Sequence, residues 1–220
     1  MITLVIAPHP DDEVLGVGGT IRKRVLDGHE VHVCICTKGV HNMFDRDVII
    51  EGQLEAQKVA TCLGISSIRF LNLPAAELDR VPLIEVIDSI AKVIQDVHPD
   101  EVFIPHRGDI HNDHKVIADA ALVALRPKST PVPFRICSYE VPSETGWDNP
   151  VCGNEFIPNV YEEIVDTIED KIFAVKLYQS QAETWPGARS AKAVKALAEY
   201  RGSSVCVPYA EAFHLIRQVI

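Results

Sequence analysis

The chain has 220 residues, 47% of them hydrophobic and 24% charged, with 31 acidic side chains against 21 basic ones and a formal net charge of -10. That length and apolar content suit a single packed α/β domain over residues 1–220. The acidic balance, with no Lys/Arg run to follow a phosphate backbone, excludes nucleic acid and anionic membrane surfaces as natural partners and leaves a small molecule.

In chain order, Ile2–Pro8 is a continuous apolar run, the pattern of a strand covered on both faces. It is too short for a membrane span and has no basic leader, so neither a signal peptide nor membrane insertion is expected, and the cytoplasm is the expected compartment. Residues Asp12 to Leu26 read as a helix stopped by Gly28. Glu30–Thr37 reads as a second strand, and a helix follows from Asp47 to Leu63. Ser67–Leu73 is a third strand, Pro82 to Val97 a helix, and Glu101–Pro105 a fourth strand with a helix starting near Asp113. Arg135–Val141 reads as a fifth strand, and the proline-rich stretch from Pro142 to Pro158 as a long loop. Helices are expected over Thr167 to Gln181 and Ser190 to Tyr200, and the spacing of Ala212, Phe213, Leu215 and Ile216 leans helical at the end. Strands alternating with helices imply right-handed parallel βαβ units in a doubly wound, mostly parallel sheet. The six cysteines form no CxxC pair and are expected as reduced core thiols.

Ligands of such sheets bind beyond the carboxyl ends of the strands, at the switch point. Strand one ends there in Pro8-His9-Pro10-Asp11-Asp12-Glu13, and strand four in His106 to His114. Carboxylates at this density repel one another, and a divalent cation among them relieves the repulsion. His9 and Asp12 offer a nitrogen and an oxygen, a mixture that suits zinc. His111 and His114 are an i, i+3 pair able to face one site, at a helix start that favours the neutral imidazole. A lone histidine or aspartate after a strand is usually a cap. Two such clusters ending two strands of one sheet are not explained by capping. Gly16, Gly18 and Gly19 superficially suggest a dinucleotide fingerprint, but they fall inside the helix and behind an anionic turn that repels pyrophosphate. Close helix–sheet packing is the better reading.

PHPDDE followed by GVGGT, then DIHNDH at Asp109–His114, YQSQ at Tyr178–Gln181 and YAEAF at Tyr209–Phe213, resemble in order the LmbE-like (PIG-L) family of zinc-dependent N-acetylglucosaminyl deacetylases. The resemblance implies a Rossmann-like fold with Zn²⁺ held by His9, Asp12 and His114. It implies Asp11 as general base, and a protonated His111, oriented by Asp113, stabilising the tetrahedral intermediate. It leaves Asp109 or Glu13 to orient a ligand histidine from behind. The substrate it implies is an N-acetylated sugar or glycoconjugate, and it leaves a homo-oligomer open. Many relatives carry an arginine just before the helical glutamate that aligns with Glu55, where this chain has Glu51, Gly52 and Gln53. An anionic substrate group, if there is one, would then fall to Arg46, Arg107 or Arg189. Trp147, Trp185 and the segments Ser143–Asn154 and Thr184–Arg189 are candidates for the substrate rim. The rival functions are an amidase acting on a non-sugar amide, and a non-catalytic metal- or sugar-binding protein. Asp11 argues against the second, since chemistry needs it and ligation does not.

Overall fold

The computed structural model describes residues 1–39, 46–127, 132–149 and 153–220, without the side chains of residues 46–49. One seven-stranded sheet runs through it in the order β3-β2-β1-β4-β5-β7-β6. The strands are β1 (Ile2–Ala7), β2 (Glu30–Lys38), β3 (Ser67–Pro74), β4 (Glu101–Pro105), β5 (Arg135–Tyr139), β6 (Val160–Glu163) and β7 (Ala210–Gln218). β1 to β5 are parallel, and β7 runs antiparallel between β5 and β6. The helices are α1 (Asp12–Leu26), α2 (Arg46–Leu63), α3 (Leu83–Val97), α4 (Asn112–Ala124), α5 (Ile168–Leu177) and α6 (Ala191–Ser203), with a short 3-10 turn at Leu78–Arg80.

The continuous apolar run of β1 has a direct cause. Val5 and Ala7 face a core shared with α1, α2, α5 and α6, while Leu4 and Ile6 face a second core shared with α3 and α4. Both faces of the strand are covered, so neither parity of side chain can be polar. Phe103 faces the first core and Val102 and Ile104 the second, which repeats the pattern on β4. β1 and β4 are neighbours in register, Val5 beside Phe103, and their chains leave in opposite directions along the sheet. The two chemically loaded loops therefore open side by side at the carboxyl edge.

α1 lies unusually close to its neighbours. A β-carbon on Gly16 would collide with the Tyr139 ring of β5, and one on Gly19 would sit 2.8 Å from the Ile164 side chain. Packing is thus what these glycines serve. A buried pair completes the contact. Glu211 of β7 accepts from the N–H groups of Gly19 and Thr20 at 2.9 and 2.7 Å. Lys171 of α5 donates to Glu211 at 2.6 Å and to the Leu15 carbonyl at 2.9 Å.

One expectation is corrected. The segment at Ala210–Gln218 is a strand, not a helix. Its inward residues are Ala210, Ala212 and Phe213, but Glu211 is buried too, held by Lys171 and by α1, so the period-two alternation is masked. Phe213 instead stacks against Phe103 with ring centroids 4.7 Å apart. The described residues of Pro142–Pro158 form no helix or strand, as expected of a loop, and β6 follows it at Val160–Glu163, illegible in the sequence because its four residues, VYEE, carry no apolar run. Among the cysteines, Cys34, Cys36 and Cys137 are buried free thiols, whereas Cys206 is exposed; Cys152 lies outside the described residues. No helix of the described residues is long and apolar enough to cross a membrane.

Candidate metal centre and its pocket

β1 delivers the chain to Pro8, whose carbonyl accepts both the backbone N–H and the hydroxyl of Thr37 on β2. The turn then closes on itself, with Asp12 Oδ2 accepting the His9 N–H at 2.8 Å. α4 brings His114 from the neighbouring strand end. Three atoms meet. His9 Nδ1 and Asp12 Oδ2 are 3.2 Å apart, Asp12 Oδ2 and His114 Nε2 3.3 Å, and His114 Nε2 and His9 Nδ1 3.3 Å. The edge of a ligand tetrahedron is about 1.63 times the metal–ligand distance, so bonds of about 2.0–2.1 Å to zinc require edges of about 3.3–3.4 Å. The triangle fits.

The opposite ring nitrogens say why a cation belongs there. His9 Nε2 lies 3.0 Å from Asp113 Oδ2, and His114 Nδ1 2.8 Å from Asp109 Oδ2. Each carboxylate takes an N–H, which turns the remaining lone pair of each imidazole toward Asp12. Where neither ring carries a second proton, three lone pairs converge on one point. The charges agree. Burial alone would keep both imidazoles neutral, but Asp113 and Asp12 raise His9 to about 9, and Asp12 and Asp109 raise His114 to about 10. Asp12, although burial opposes its charge, is held far below the usual carboxylate range by His114 and His9. The centre favours positive charge, and its three donors are placed to share one ion. His9, His111 and Asp113 form a second close group of donors that shares His9 with the first.

Asp11 stands beside the triangle and outside it. Burial, then the charge of Asp12, pushes its carboxyl well above the ordinary range, against the pull of Arg189. Arg189 Nε lies 3.4 Å from Asp11 Oδ2, and its Nη2 donates to Glu144 at 3.3 Å. His111 caps α4, its Nδ1 accepting the Asp113 N–H at 3.2 Å. Burial first, then the charge of His9, lowers it to about 4, which favours the neutral ring, and with Nδ1 accepting, such a ring carries its proton on Nε2. The Asp113 carboxylate engages His9, while its backbone N–H holds the His111 ring. Asp109, fixed in turn by the Thr145 hydroxyl at 2.7 Å, is the residue behind His114. Glu13 is not behind either histidine; it accepts from Tyr178 and from the Asp11 N–H.

A cavity of about 260 Å³ opens over the centre, with His9, Asp11, Lys38, His111, Gln181 and Arg189 on its walls. Of the two arginines considered from the sequence whose side chains are described, Arg189 lines it and Arg107 does not. Arg107 is exposed and paired with Asp119, and the Arg46 side chain lies outside the described residues. Trp147 and Trp185 are 74% and 54% exposed and do not line the cavity. Nothing in the local sequence signals the Arg189–Asp11 approach or the Tyr178–Glu13 bond. Tyr178 stands out there only as a motif residue, with no partner marked.

Fold and site together define an open α/β domain with a His/Asp/His group able to hold a cation at the carboxyl edge of its sheet. The chain belongs to the PIG-L family, described as GlcNAc-PI de-N-acetylase, which matches residues 4–125 and so spans both loaded loops. It is 29% identical over 192 residues to a probable N-acetyl-alpha-D-glucosaminyl L-malate deacetylase 2 of Bacillus cereus, covering 82% of this chain and 83% of that one. It is 30% identical over 190 residues to the diacetylchitobiose deacetylase of Thermococcus kodakarensis, covering 81% and 69%. Among solved structures, the conserved protein TT1542 of Thermus thermophilus superposes with a TM-score of 0.79 at 28% identity, over 99% of this chain and 95% of that one.

Proposed function

We propose that this chain is a zinc-dependent N-deacetylase that hydrolyses the acetamido group of an N-acetylglucosamine-type sugar or conjugate, releasing acetate and a free amine. The observation that carries this reading is the pairing of a tetrahedral three-donor triangle with a carboxylate, Asp11, that lines the same cavity and joins no ligand contact. His9, Asp12 and His114 would hold the zinc. Bound there, zinc supplies a Lewis acid for the amide carbonyl and acidifies the attacking water.

The protein's own groups do the rest. Asp11 takes the proton of the attacking water as the new C–O bond forms. A divalent ion next to it favours its ionised form and offsets the burial that raises it. Asp11 then returns that proton to the nitrogen as the C–N bond breaks. His111 donates its Nε2–H to the developing oxyanion as a neutral imidazole. Its Nδ1 is occupied by the Asp113 N–H, so the proton is held on Nε2 of a ring that lines the cavity. Asp113 and Asp109 orient His9 and His114 through their second ring nitrogens.

The test is acetate release from N-acetylglucosamine, N,N'-diacetylchitobiose and N-acetylglucosaminyl conjugates, with metal analysis of the same sample. Zinc near one equivalent and stoichiometric acetate from at least one of these is the expected result. A folded, zinc-replete protein that releases acetate from a simple N-acetylated amine and from no sugar points to a non-sugar amidase. One that releases none from any amide points to a binding protein.

A further inference from the structure

Asp11 has φ 116° and ψ -26°, left-handed backbone that residues with a side chain rarely adopt. Such a conformation persists only where the surroundings over-determine it. Its carbonyl accepts from Val14 and Leu15 at 3.0 and 2.9 Å, the opening bonds of α1. Its N–H donates to Glu13 Oε2 at 3.2 Å, and the other oxygen of that carboxylate accepts the Tyr178 hydroxyl at 2.5 Å. Tyr178 is itself pinned. Its carbonyl accepts from Gln181, and Ser180 donates from both backbone and hydroxyl to Glu55 on α2.

Glu13 is 1% exposed, and among the described residues it has no cation within ion-pair distance. It is buried next to Asp11 and Asp12, which makes its charge expensive. A first-turn glutamate serving only the helix dipole would lie at the surface. What Glu13 has in exchange for burial is two hydrogen bonds, one to a phenol and one to the N–H of Asp11. We propose that Tyr178 and Glu13 are positioning residues for Asp11: the hydroxyl fixes the Glu13 carboxylate, the carboxylate holds the Asp11 N–H, and the backbone so held keeps the Asp11 carboxylate beside the donor triangle and out of it. This rests on the reading of Asp11 as the base. The two residues belong neither to the donor triangle nor to the cavity walls, and their effect on turnover passes through Asp11 alone.

The experiment is a double-mutant cycle in the zinc-loaded full chain, with Tyr178→Phe, Asp11→Asn and both together. Tyr178→Phe keeps its zinc, leaves KM within about twofold, and lowers kcat on the order of 10- to 100-fold, as a displaced reacting group does. In the Asp11→Asn background the same change has no further effect, because the group it positions is already disabled. Glu13→Gln retains most of the activity, since an amide oxygen can accept the Asp11 N–H while its NH₂ meets the Tyr178 oxygen; Glu13→Ala behaves like Tyr178→Phe. An additive loss in the double variant, or an unchanged kcat in Tyr178→Phe, overturns the proposal. A crystal structure of Tyr178→Phe decides it without any assay. Asp11 released from its positive φ supports it, and Asp11 unmoved overturns it, even if the wild-type chain deacetylates no sugar and the functional reading falls.

Discussion

Asp109 stands directly behind His114, its Oδ2 2.8 Å from the ring nitrogen that faces away from the donor triangle and its Oδ1 2.7 Å from the Thr145 hydroxyl. The carboxylate fixes both the tautomer and the tilt of His114. Asp109→Asn keeps the shape but can present an amide N–H to that nitrogen, which turns the histidine's proton toward the metal. Zinc affinity should fall roughly 10- to 100-fold, read by competition with a chelator. An unchanged affinity removes Asp109 from the centre.

His9→Ala and His114→Ala each remove one edge-forming donor and should lose most of the zinc with the fold intact. His111→Ala should keep the zinc and lower kcat more than it raises KM, because His111 meets only the developing oxyanion. Metal analysis of the three variants separates the two close donor groups that share His9. Zinc lost from His111→Ala would exchange the roles of His111 and His114.

Asp11→Asn is nearly isosteric and cannot accept the water's proton. Turnover should drop on the order of 10²–10⁴-fold while zinc content stays that of the wild type. Near-native turnover would rule Asp11 out as the base.

At the opposite end of the sheet, Arg24 is nearly buried between Glu101 at 3.1 Å and Glu162 at 3.0 Å. Burial opposes the Glu162 charge, but Arg24 and Lys23 outweigh it and hold its carboxyl below the ordinary range. The sign follows. A carboxyl lowered in the folded state contributes stability above its unfolded value of about 4.3. That contribution is lost as the pH falls through the lower, folded value. Urea midpoints should therefore decline below about pH 4. Arg24→Met should cost less than the about 3–5 kcal/mol of an orphaned buried charge, because Arg135 stays 3.2 Å from Glu101 and Lys23 2.6 Å from Glu162, and should flatten the acid decline. An acid limb of unchanged slope would place the lost carboxylate elsewhere.

Gly16→Ala sets a methyl group into the Tyr139 ring. Overpacking of this kind costs typically about 1–3 kcal/mol. The same helix begins with Asp12, so its displacement should also weaken zinc binding. A variant with native stability would show that α1 can move away freely.

The parts legible in the sequence are those in which local chemistry and tertiary role coincide. β1 and β4 are short apolar runs because both faces are buried, and the donors follow them within a few residues. Gly16 and Gly19 mark close packing because no other residue fits. Reading fails where one residue serves two masters. Glu211 is a polar residue on a buried strand, so it disguises β7 as a helix. His111 sits at a helix start beside carboxylates, which pull its charge in opposite directions, and the burial and the neighbouring His9 that lower its pKa are tertiary features no local pattern carries. Arg189 reaches Asp11 from a loop far along the chain, and no periodicity announces a contact across that separation.

Glu211 has one more implication, for the order in which the molecule can be made. Every proposed metal donor lies in the first 114 residues. Yet α1, which carries Asp12, has the N–H groups of Gly19 and Thr20 bound by a carboxylate 192 and 191 residues further on. A nascent chain synthesised as far as α6 already owns all three donors and still lacks the strand that α1 leans on. Contacts spanning such a length form late and slowly. High-affinity zinc capture during translation should therefore wait for β7, and a ribosome-stalled chain ending at Ser203 should bind zinc more weakly than the released protein.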